Sequence, residues 1–221
     1  MKKRLVIASV LLVLLSTYVP QKLLFSNNFK IVEIIIDNNS ILKTADIKKN
    51  LNFLNGSSLI FLNTTEIEKK LKKMDFVESF ELKKIYPKKL KIRIFEKKPI
   101  MILMAKKKKF YISENFELIE FSRLKEYKDL PTVLGDVKNF KKFYINLKKI
   151  NFPIKLISKY SLQESMRWDL ETYKKKIIKL PSENYVKSLL NFIDLTKKNN
   201  FDKYKIFDYR INQQLILKKS N

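Results

Sequence analysis

Alternating apolar and charged residues in the first half of the chain predict two strands that form a β-hairpin. The apolar positions of the pattern are Phe80, Leu82, Leu90, Ile92 and Ile94. A period of two is typical of strands with one buried face. Pro87 lies between the two segments, where its missing N–H and fixed φ favour a turn over the interior of a ladder. The pattern therefore places a hairpin between Asp75 and Pro99.

A further strand is predicted upstream, at Ile31–Asp37. Val32, Ile34 and Ile36 share one face of this segment, and its other face is also apolar enough to be buried. The polar run at 37–40 that follows has the composition of a turn.

Two helices are predicted between this strand and the hairpin. The first begins at Thr44 as N-cap and stops at Asn55-Gly56, since glycine adopts the left-handed conformation that ends helices. The second follows Thr65, with Glu68 completing a capping box. Their apolar stripes are Ile47, Leu51, Leu54, Ile67, Leu71 and Met74. The first module thus has the order strand, helix, helix, strand, strand.

The second half of the chain predicts a mainly antiparallel β domain with flanking helices. Strands are predicted at 110–112, 116–119, 165–170, 177–181, 205–210 and 215–218. Helical stripes are predicted at Phe140, Phe143, Leu147 and Ile150, and again at Val186, Leu190 and Ile193. The predicted fold class is α+β, with domains at 30–100 and 101–219.

The first residues predict a membrane anchor. Residues 1–4 form a basic cap, and an uncharged, mostly apolar run follows at 5–19. Extended to residue 21, this run reaches the lower limit of about 17 residues for a membrane span. A cleaved signal peptide is the alternative, but Ser16-Thr17-Tyr18 lacks the small residues of a cleavage site. The prediction is an uncleaved anchor at 5–21, with residues 1–4 cytoplasmic, a linker at 22–29 and the remainder across the inner membrane.

Composition restricts the chemistry that this chain can perform. It has no cysteine and no histidine, so disulfides, thiolate metal sites and Ser–His or Cys–His catalysis are excluded. Its glycines, Gly56 and Gly135, are too far apart to form a phosphate-binding loop. We predict no catalytic, cofactor-binding or metal site and no small-molecule substrate.

The net charge of +25 has two interpretations. Only five of the 47 basic residues are arginine, which is typical of the compositional drift of an AT-rich genome. Drift and solubility are the preferred explanation, and contact with anionic envelope surfaces is the alternative. No nucleic-acid partner is predicted, because no arginine-rich patch or aromatic platform is present in the sequence.

Several motifs, taken in order, resemble those of the FtsQ (DivIB) family of bacterial cell-division proteins. The strand–helix–helix–strand–strand order outside one anchor is similar to the POTRA domain of that family. The matching motifs are Asp75-Phe76-Val77, Ile85-Tyr86-Pro87, Glu96-Lys97-Lys98-Pro99, Leu130–Gly135 and Arg167-Trp168. The turn after Ser113 departs from the family pattern, since Phe116 stands near the usual glycine position. The resemblance continues to about Lys218.

This resemblance implies a non-enzymatic scaffold of the division septum that docks FtsB- and FtsL-type membrane partners and helps recruit or control septal wall synthesis. The family's aspartate-x-arginine stretch maps onto Asp208-Tyr209-Arg210, and its partner-binding strand onto 211–217. A terminal strand with a free edge can accept a partner strand through main-chain hydrogen bonds. The predicted partner-binding residues are Asp208, Tyr209, Arg210, Ile211, Gln213, Leu215 and Leu217.

Three conspicuous residues have simpler structural explanations. Asp208 and Arg210 are predicted to form an ion pair, and Trp168, the only tryptophan, is predicted to lie in the core. Two other functions stay open. One is a POTRA protein of outer-membrane assembly or secretion, and the other is a membrane-anchored wall enzyme with two facing carboxylates.

Overall fold

The computed structural model describes residues 2–17, 27–105, 108–211 and 214–219. Two units are present, Met1–Glu96 and Lys97–Asn221. Helix α1 occupies Lys2–Thr17. Within the described ranges, no helix is both long and apolar enough to cross a membrane. Residues 18–21, the end of the predicted anchor, lie outside the described residues.

The first unit contains a three-stranded sheet and two short helices. The strands are β1 (Glu33–Asp37), β2 (Val77–Ile85) and β3 (Lys89–Glu96), and the helices are α2 (Thr44–Asn50) and α3 (Thr64–Leu71). The strand order is β1-β3-β2, with β3 parallel to β1 and antiparallel to β2. The predicted order of elements in this unit is confirmed.

The apolar stripes predicted for the helices meet the apolar face of β3 in one core. The buried members of this core include Ile47, Leu51, Leu54, Ile67, Leu71, Leu90, Ile92 and Ile94. Gly56 follows with a positive φ of 78°, as the predicted stop requires.

Three local predictions for this unit are wrong. The N-cap of α2 is Lys43, without a side-chain hydrogen bond, because the helix already begins at Thr44, whose hydroxyl accepts from the side-chain amide of Asn39. The N-cap of α3 is Asn63, whose side chain accepts from the N–H of Glu66, so the capping box predicted after Thr65 does not form. Val32 is 70% exposed and lies before the start of β1, whereas its neighbour Ile31 is buried.

Glu96 connects the end of β3 to the loop that precedes α2. Its carboxylate accepts hydrogen bonds from the N–H groups of Ile41 and Leu42 at 2.9 and 2.8 Å, and from the Ser40 hydroxyl at 2.7 Å. Burial raises the pKa of Glu96, but these hydrogen bonds outweigh it, and the pKa lies below its usual value. The Glu96 carboxylate therefore holds the loop before α2 against the end of β3.

The second unit is a nine-stranded sheet with helices α4 (Val137–Lys149) and α5 (Tyr185–Thr196). Its strands are β4 (Pro99–Ala105), β5 (Lys108–Ser113), β6 (Leu118–Glu120), β7 (Thr132–Leu134), β8 (Ile157–Leu162), β9 (Trp168–Thr172), β10 (Ile177–Lys179), β11 (Tyr204–Asp208) and β12 (Ile216–Lys219). The order is β12-β11-β10-β9-β8-β7-β4-β5-β6. Most neighbouring pairs are antiparallel, as predicted; β4/β7, β7/β8 and β10/β11 are parallel.

An aromatic cluster fills the core of this unit. Trp168 is buried and stacks on Phe143 with ring centroids 4.9 Å apart, which confirms its prediction as a core residue. Phe140 meets Trp168 and Tyr160 edge to face. The α4 stripe is thus correct, whereas Leu190 of the α5 stripe is 45% exposed, because Leu189 and Phe192 face the core instead.

The turn between β5 and β6 shows how Phe116 replaces the expected glycine. Phe116 has a φ of 63°, in the left-handed region that a bulky residue rarely occupies. Its ring packs against Tyr144 at 5.7 Å, and the Lys141 ammonium lies 5.4 Å from the ring centroid. These contacts offset the strained backbone.

Gly135 ends β7 at a point where no side chain fits. Its φ is 149°, and a Cβ built on it would lie 2.9 Å from the Cβ of Leu162. Gly56 also has a positive φ, but a Cβ there would meet nothing within 4 Å. A substitution at Gly56 therefore introduces backbone strain alone, whereas a substitution at Gly135 introduces backbone strain and steric overlap.

Glu96→Gln is expected to lower the free energy of unfolding of the first unit by about 1–3 kcal/mol, since the carboxylate hydrogen bonds weaken. Because the folded pKa is depressed, this stabilisation is present above the unfolded value near 4.5 and is lost as pH falls through the folded pKa. Denaturation of both proteins at neutral and acid pH, with hydrogen exchange at Ser40–Leu42, measures it. Glu81→Gln, on exposed β2, is the control. An equal loss in the two variants would contradict the role of Glu96.

Gly135→Ala is expected to destabilise the second unit by about 2–4 kcal/mol, because backbone strain and overlap with Leu162 add. Gly56→Ala should cost only about 1 kcal/mol, the strain alone. Thermal unfolding followed by circular dichroism compares the two variants. Equal losses of stability in the two variants would show that Leu162 moves away from the added methyl group at no cost in free energy.

Candidate partner-binding edge

β12 is the last strand of the nine-stranded sheet, and its position follows from the pairing of β11. β11 lies parallel to β10 and antiparallel to β12. Phe207 pairs with Leu217, and Asp208 with Ile216. No described residue pairs with the outer side of β12. The main-chain groups on that side are therefore the hydrogen-bonding edge that the sequence predicted near the C-terminus.

The predicted partner-binding residues divide into buried and exposed positions. Asp208 and Tyr209 are buried, whereas Arg210 and Ile211 are exposed. Leu215 and Leu217 are half-buried and pack against the core of the unit. Gln213 lies outside the described residues. Ile216, which the sequence did not single out, is 39% exposed at the edge.

Asp208 and Arg210 form the predicted ion pair. The Nε of Arg210 lies 2.8 and 3.0 Å from the two carboxylate oxygens, and the main-chain N–H of Arg210 donates to Oδ1 at 3.1 Å. The hydrogen bonds of the Arg210 side chain hold the pKa of Asp208 below its usual value, against the opposing effect of burial. The same contact raises the pKa of Arg210. These contacts with both carboxylate oxygens fix the guanidinium of Arg210 just after the end of β11.

Tyr209 connects this stretch to its neighbours. Its N–H donates to the carbonyl of Lys179 at 2.9 Å, which extends the β10–β11 pairing by one residue. Its hydroxyl donates to Oδ1 of Asn191 on α5 at 2.9 Å, and burial raises its pKa. Tyr209 therefore holds the segment between β11 and β12 against the helix.

Side chains of alternating charge lie in a row across the three strands next to the edge strand β12. The strand register places Asp169, Lys179 and Asp208 side by side on β9, β10 and β11. Nε of Arg167 lies 3.6 Å from Asp169, whose pKa is raised by burial in spite of the nearby cations. Sequence reasoning missed this row because it depends on register. The only local signal is a charged residue between apolar ones on each strand.

An open groove of about 520 Å³ lies beside the edge. Its two walls are the start of α5 and the segment that leads into β12. The lining residues are Pro181, Ser182, Glu183, Asn184, Lys187, Ser188, Asn191, Tyr209, Arg210, Ile211, Gln214 and Leu215. Among the described lining residues, Glu183 is the only carboxylate. The groove fits a polypeptide segment with mixed polar and apolar side chains better than a reaction that needs two carboxylates.

Comparisons with known proteins agree with this architecture. Residues 29–97 match the family described as "POTRA domain, FtsQ-type". The protein named "Cell division protein FtsQ" from Rickettsia bellii is 29% identical over 196 residues, which cover 86% of this chain and 73% of that protein. Those of Rickettsia conorii and Rhizobium radiobacter are each 27% identical, over 86% and 66% of this chain and 73% and 71% of their own lengths. The chain is therefore similar to FtsQ cell-division proteins over most of its length, and residues 29–97 match an FtsQ-type POTRA domain.

Proposed function

We propose that this chain is a non-enzymatic scaffold of the division septum, anchored in the inner membrane by residues 5–21. Residues 1–4 lie in the cytoplasm, and a POTRA-like domain at 30–100 and a β domain at 101–219 lie outside the inner membrane. The uncharged apolar run after a basic cap supports the anchor. The division into two units after Glu96 supports a domain boundary near residue 100. The relatives support a role in cell division.

The free edge of β12 carries the proposal. An FtsB-type partner adds a strand along Ile216–Lys219, while an FtsL-type protein joins through the same complex. Strand addition satisfies main-chain groups of both proteins and depends little on side-chain identity. This tolerance matters because Ile211 stands where the family has an aromatic residue.

Side chains around the edge supply selectivity. Ile216 offers an exposed apolar contact, and the forked Arg210 offers a fixed cation beside the groove. A guanidinium held in one orientation recognises a partner carboxylate with less loss of rotamer entropy than a free side chain does. The partner segment is therefore expected to carry an acidic residue that reaches Arg210. The scaffold would help recruit or control septal wall synthesis through such docking, without chemistry of its own.

Deletion of residues 215–221 is expected to abolish co-purification with FtsB- and FtsL-type proteins from the same genome, because it removes the edge strand. Deletion of 220–221 alone leaves β12 in place and should retain binding. Fluorescence of Trp168, which is buried in the core, shows whether the second unit stays folded. Retained partner binding by a folded 215–221 deletion would overturn the proposed edge.

A fluorescent fusion of the intact chain is expected at midcell, and uniform envelope staining would contradict the septal role.

Asp208→Asn is expected to weaken partner binding several-fold, because Arg210 loses its orientation, and to destabilise the second unit by about 1–2 kcal/mol. The depressed pKa of Asp208 means that its contribution is present above the usual value of 3.8 and is lost as pH falls through the folded pKa. The stability difference between variant and parent should therefore vanish in acid. Asp194→Asn, which breaks an exposed pair with Lys197, should change neither property by more than about 0.5 kcal/mol. A difference that persists in acid would refute the charge-based role.

A further inference from the structure

In the folded part of the first unit, between residues 27 and 96, the exposed apolar side chains collect at one end. Of the described residues between 27 and 96, the exposed large apolar ones are Val32 (70%), Ile60 (40%), Phe61 (69%) and Tyr86 (57%). Single exposed apolar residues are ordinary on a protein surface, but four at one end form a patch that needs an explanation.

Main-chain and ring contacts bring the four residues together. Lys30 bridges to Ser58, and the N–H of Leu59 donates to the carbonyl of Phe29 at 2.8 Å. The Phe29 and Tyr86 rings meet edge to face with centroids 6.1 Å apart. Segments 29–33 and 57–62 and the hairpin turn at 84–89 therefore lie side by side. We name this surface the entry face.

The hairpin turn is joined to the other two segments by direct hydrogen bonds. Nζ of Lys84 donates to the carbonyl of Ile60 at 3.0 Å, directly before Phe61. The N–H of Val32 donates to the carbonyl of Lys88 at 2.9 Å. The exposed apolar side chains are thus held on a connected backbone.

The charges of the entry face are almost all positive. Its three segments contain four lysines, Lys30, Lys84, Lys88 and Lys89, against one carboxylate, Glu33. Glu33 pairs with Lys89 at 2.7 Å. No described carboxylate lies within ion-pair distance of the other three lysines. Apolar and aromatic side chains surrounded by unpaired lysines match the boundary between lipid headgroups and acyl chains.

The chain itself holds the entry face close to a bilayer. Residue 27, the first described residue after α1, is six residues beyond the proposed end of the anchor at 21. Six residues extend at most about 20 Å, and the entry face begins two residues later. A surface tethered this closely meets lipid at a high effective concentration.

We propose that the entry face rests on the surface of the membrane that anchors the chain, with Phe61 and Tyr86 at the headgroup level and Lys30, Lys84 and Lys88 on anionic phospholipids. This inference rests on the proposed anchor. It assigns to the first unit a lipid contact separate from the partner edge of the second unit. The contact would fix the orientation of the first unit relative to the bilayer.

The absence of cysteine from the sequence allows a direct test with the full chain. Phe61→Cys and Asp75→Cys each give one site for a bimane label. Asp75 is exposed and precedes β2, whereas Tyr86 follows it, so the nine residues of β2 put the control about 30 Å from the entry face. The proteins are reconstituted into vesicles of phosphatidylcholine and phosphatidylglycerol that contain a headgroup-attached nitroxide quencher.

The label at Phe61 is expected to be quenched several-fold more strongly than the label at Asp75. Lys30→Glu/Lys88→Glu should reduce the quenching at Phe61, since each lysine near an anionic surface strengthens binding about fivefold. Lys70→Glu/Lys73→Glu, on exposed positions outside the entry face, is the matched control and should have no effect.

Flotation of the vesicles separates this inference from the anchor on which it rests. A chain that floats with the vesicles but shows equal, weak quenching at both labels would overturn the lipid contact and leave the anchor intact. A chain that does not float would overturn the anchor and the contact together. Quenching at Phe61 that Lys30→Glu/Lys88→Glu leaves unchanged would overturn the assignment to anionic headgroups.

Discussion

An open β-sheet has two edge strands whose outer main-chain groups need partners, and the position of β12 makes it one of them. Three contacts fix this four-residue strand from its inner side: pairing with β11, the packing of Leu215 and Leu217 on the core, and the Tyr209 contacts that precede it. None of them uses the outer main-chain groups. β12 is thus ordered by contacts on its inner side alone, which would lower the ordering cost of adding a strand at its outer side.

Several carboxylates in this lysine-rich chain accept hydrogen bonds that stabilise the local structure. With 22 acidic and 47 basic residues, more than half of the basic residues have no carboxylate of their own. Glu96 binds the N–H groups of a loop, Asp136 caps α4 by accepting from the N–H of Asn139 at 2.9 Å, and Asp208 holds Arg210. In each case the pKa is lowered. Removal of a carboxylate therefore leaves several donors without a partner, whereas removal of a solvated lysine leaves none.

Sequence patterns predicted the strands and helices of the first sheet and six of the nine strands of the second unit, because period-two and helical stripes report local burial. They did not predict β4, β7 and β8. They failed where a distant contact decides the outcome. Leu189 instead of Leu190 faces the core, on the side where Phe192 of α5 packs against Phe207 of β11. Thr44 is the first residue of α2, so Lys43 occupies the N-cap position. The charge row of Asp169, Lys179 and Asp208 depends on the register of three strands, which no single strand encodes. The free edge of the sheet at β12 could be predicted because a C-terminal strand pair leaves one side open.

The positions of the exposed apolar residues distinguish compositional drift from a surface function. Drift toward lysine, isoleucine and phenylalanine raises the number of cationic and apolar residues throughout the chain, so the net charge by itself identifies no ligand. Drift does not explain why the exposed apolar residues between 27 and 96 all lie at the entry face, or why three lysines there lack described ion pairs. In the second unit the exposed apolar side chains are dispersed over many elements, from Leu118 to Ile216. A random increase in apolar residues would give the dispersed pattern in both units. The concentrated pattern between residues 27 and 96 is therefore the one that calls for a binding surface, and the short distance to the proposed anchor makes the bilayer the nearest surface that fits it.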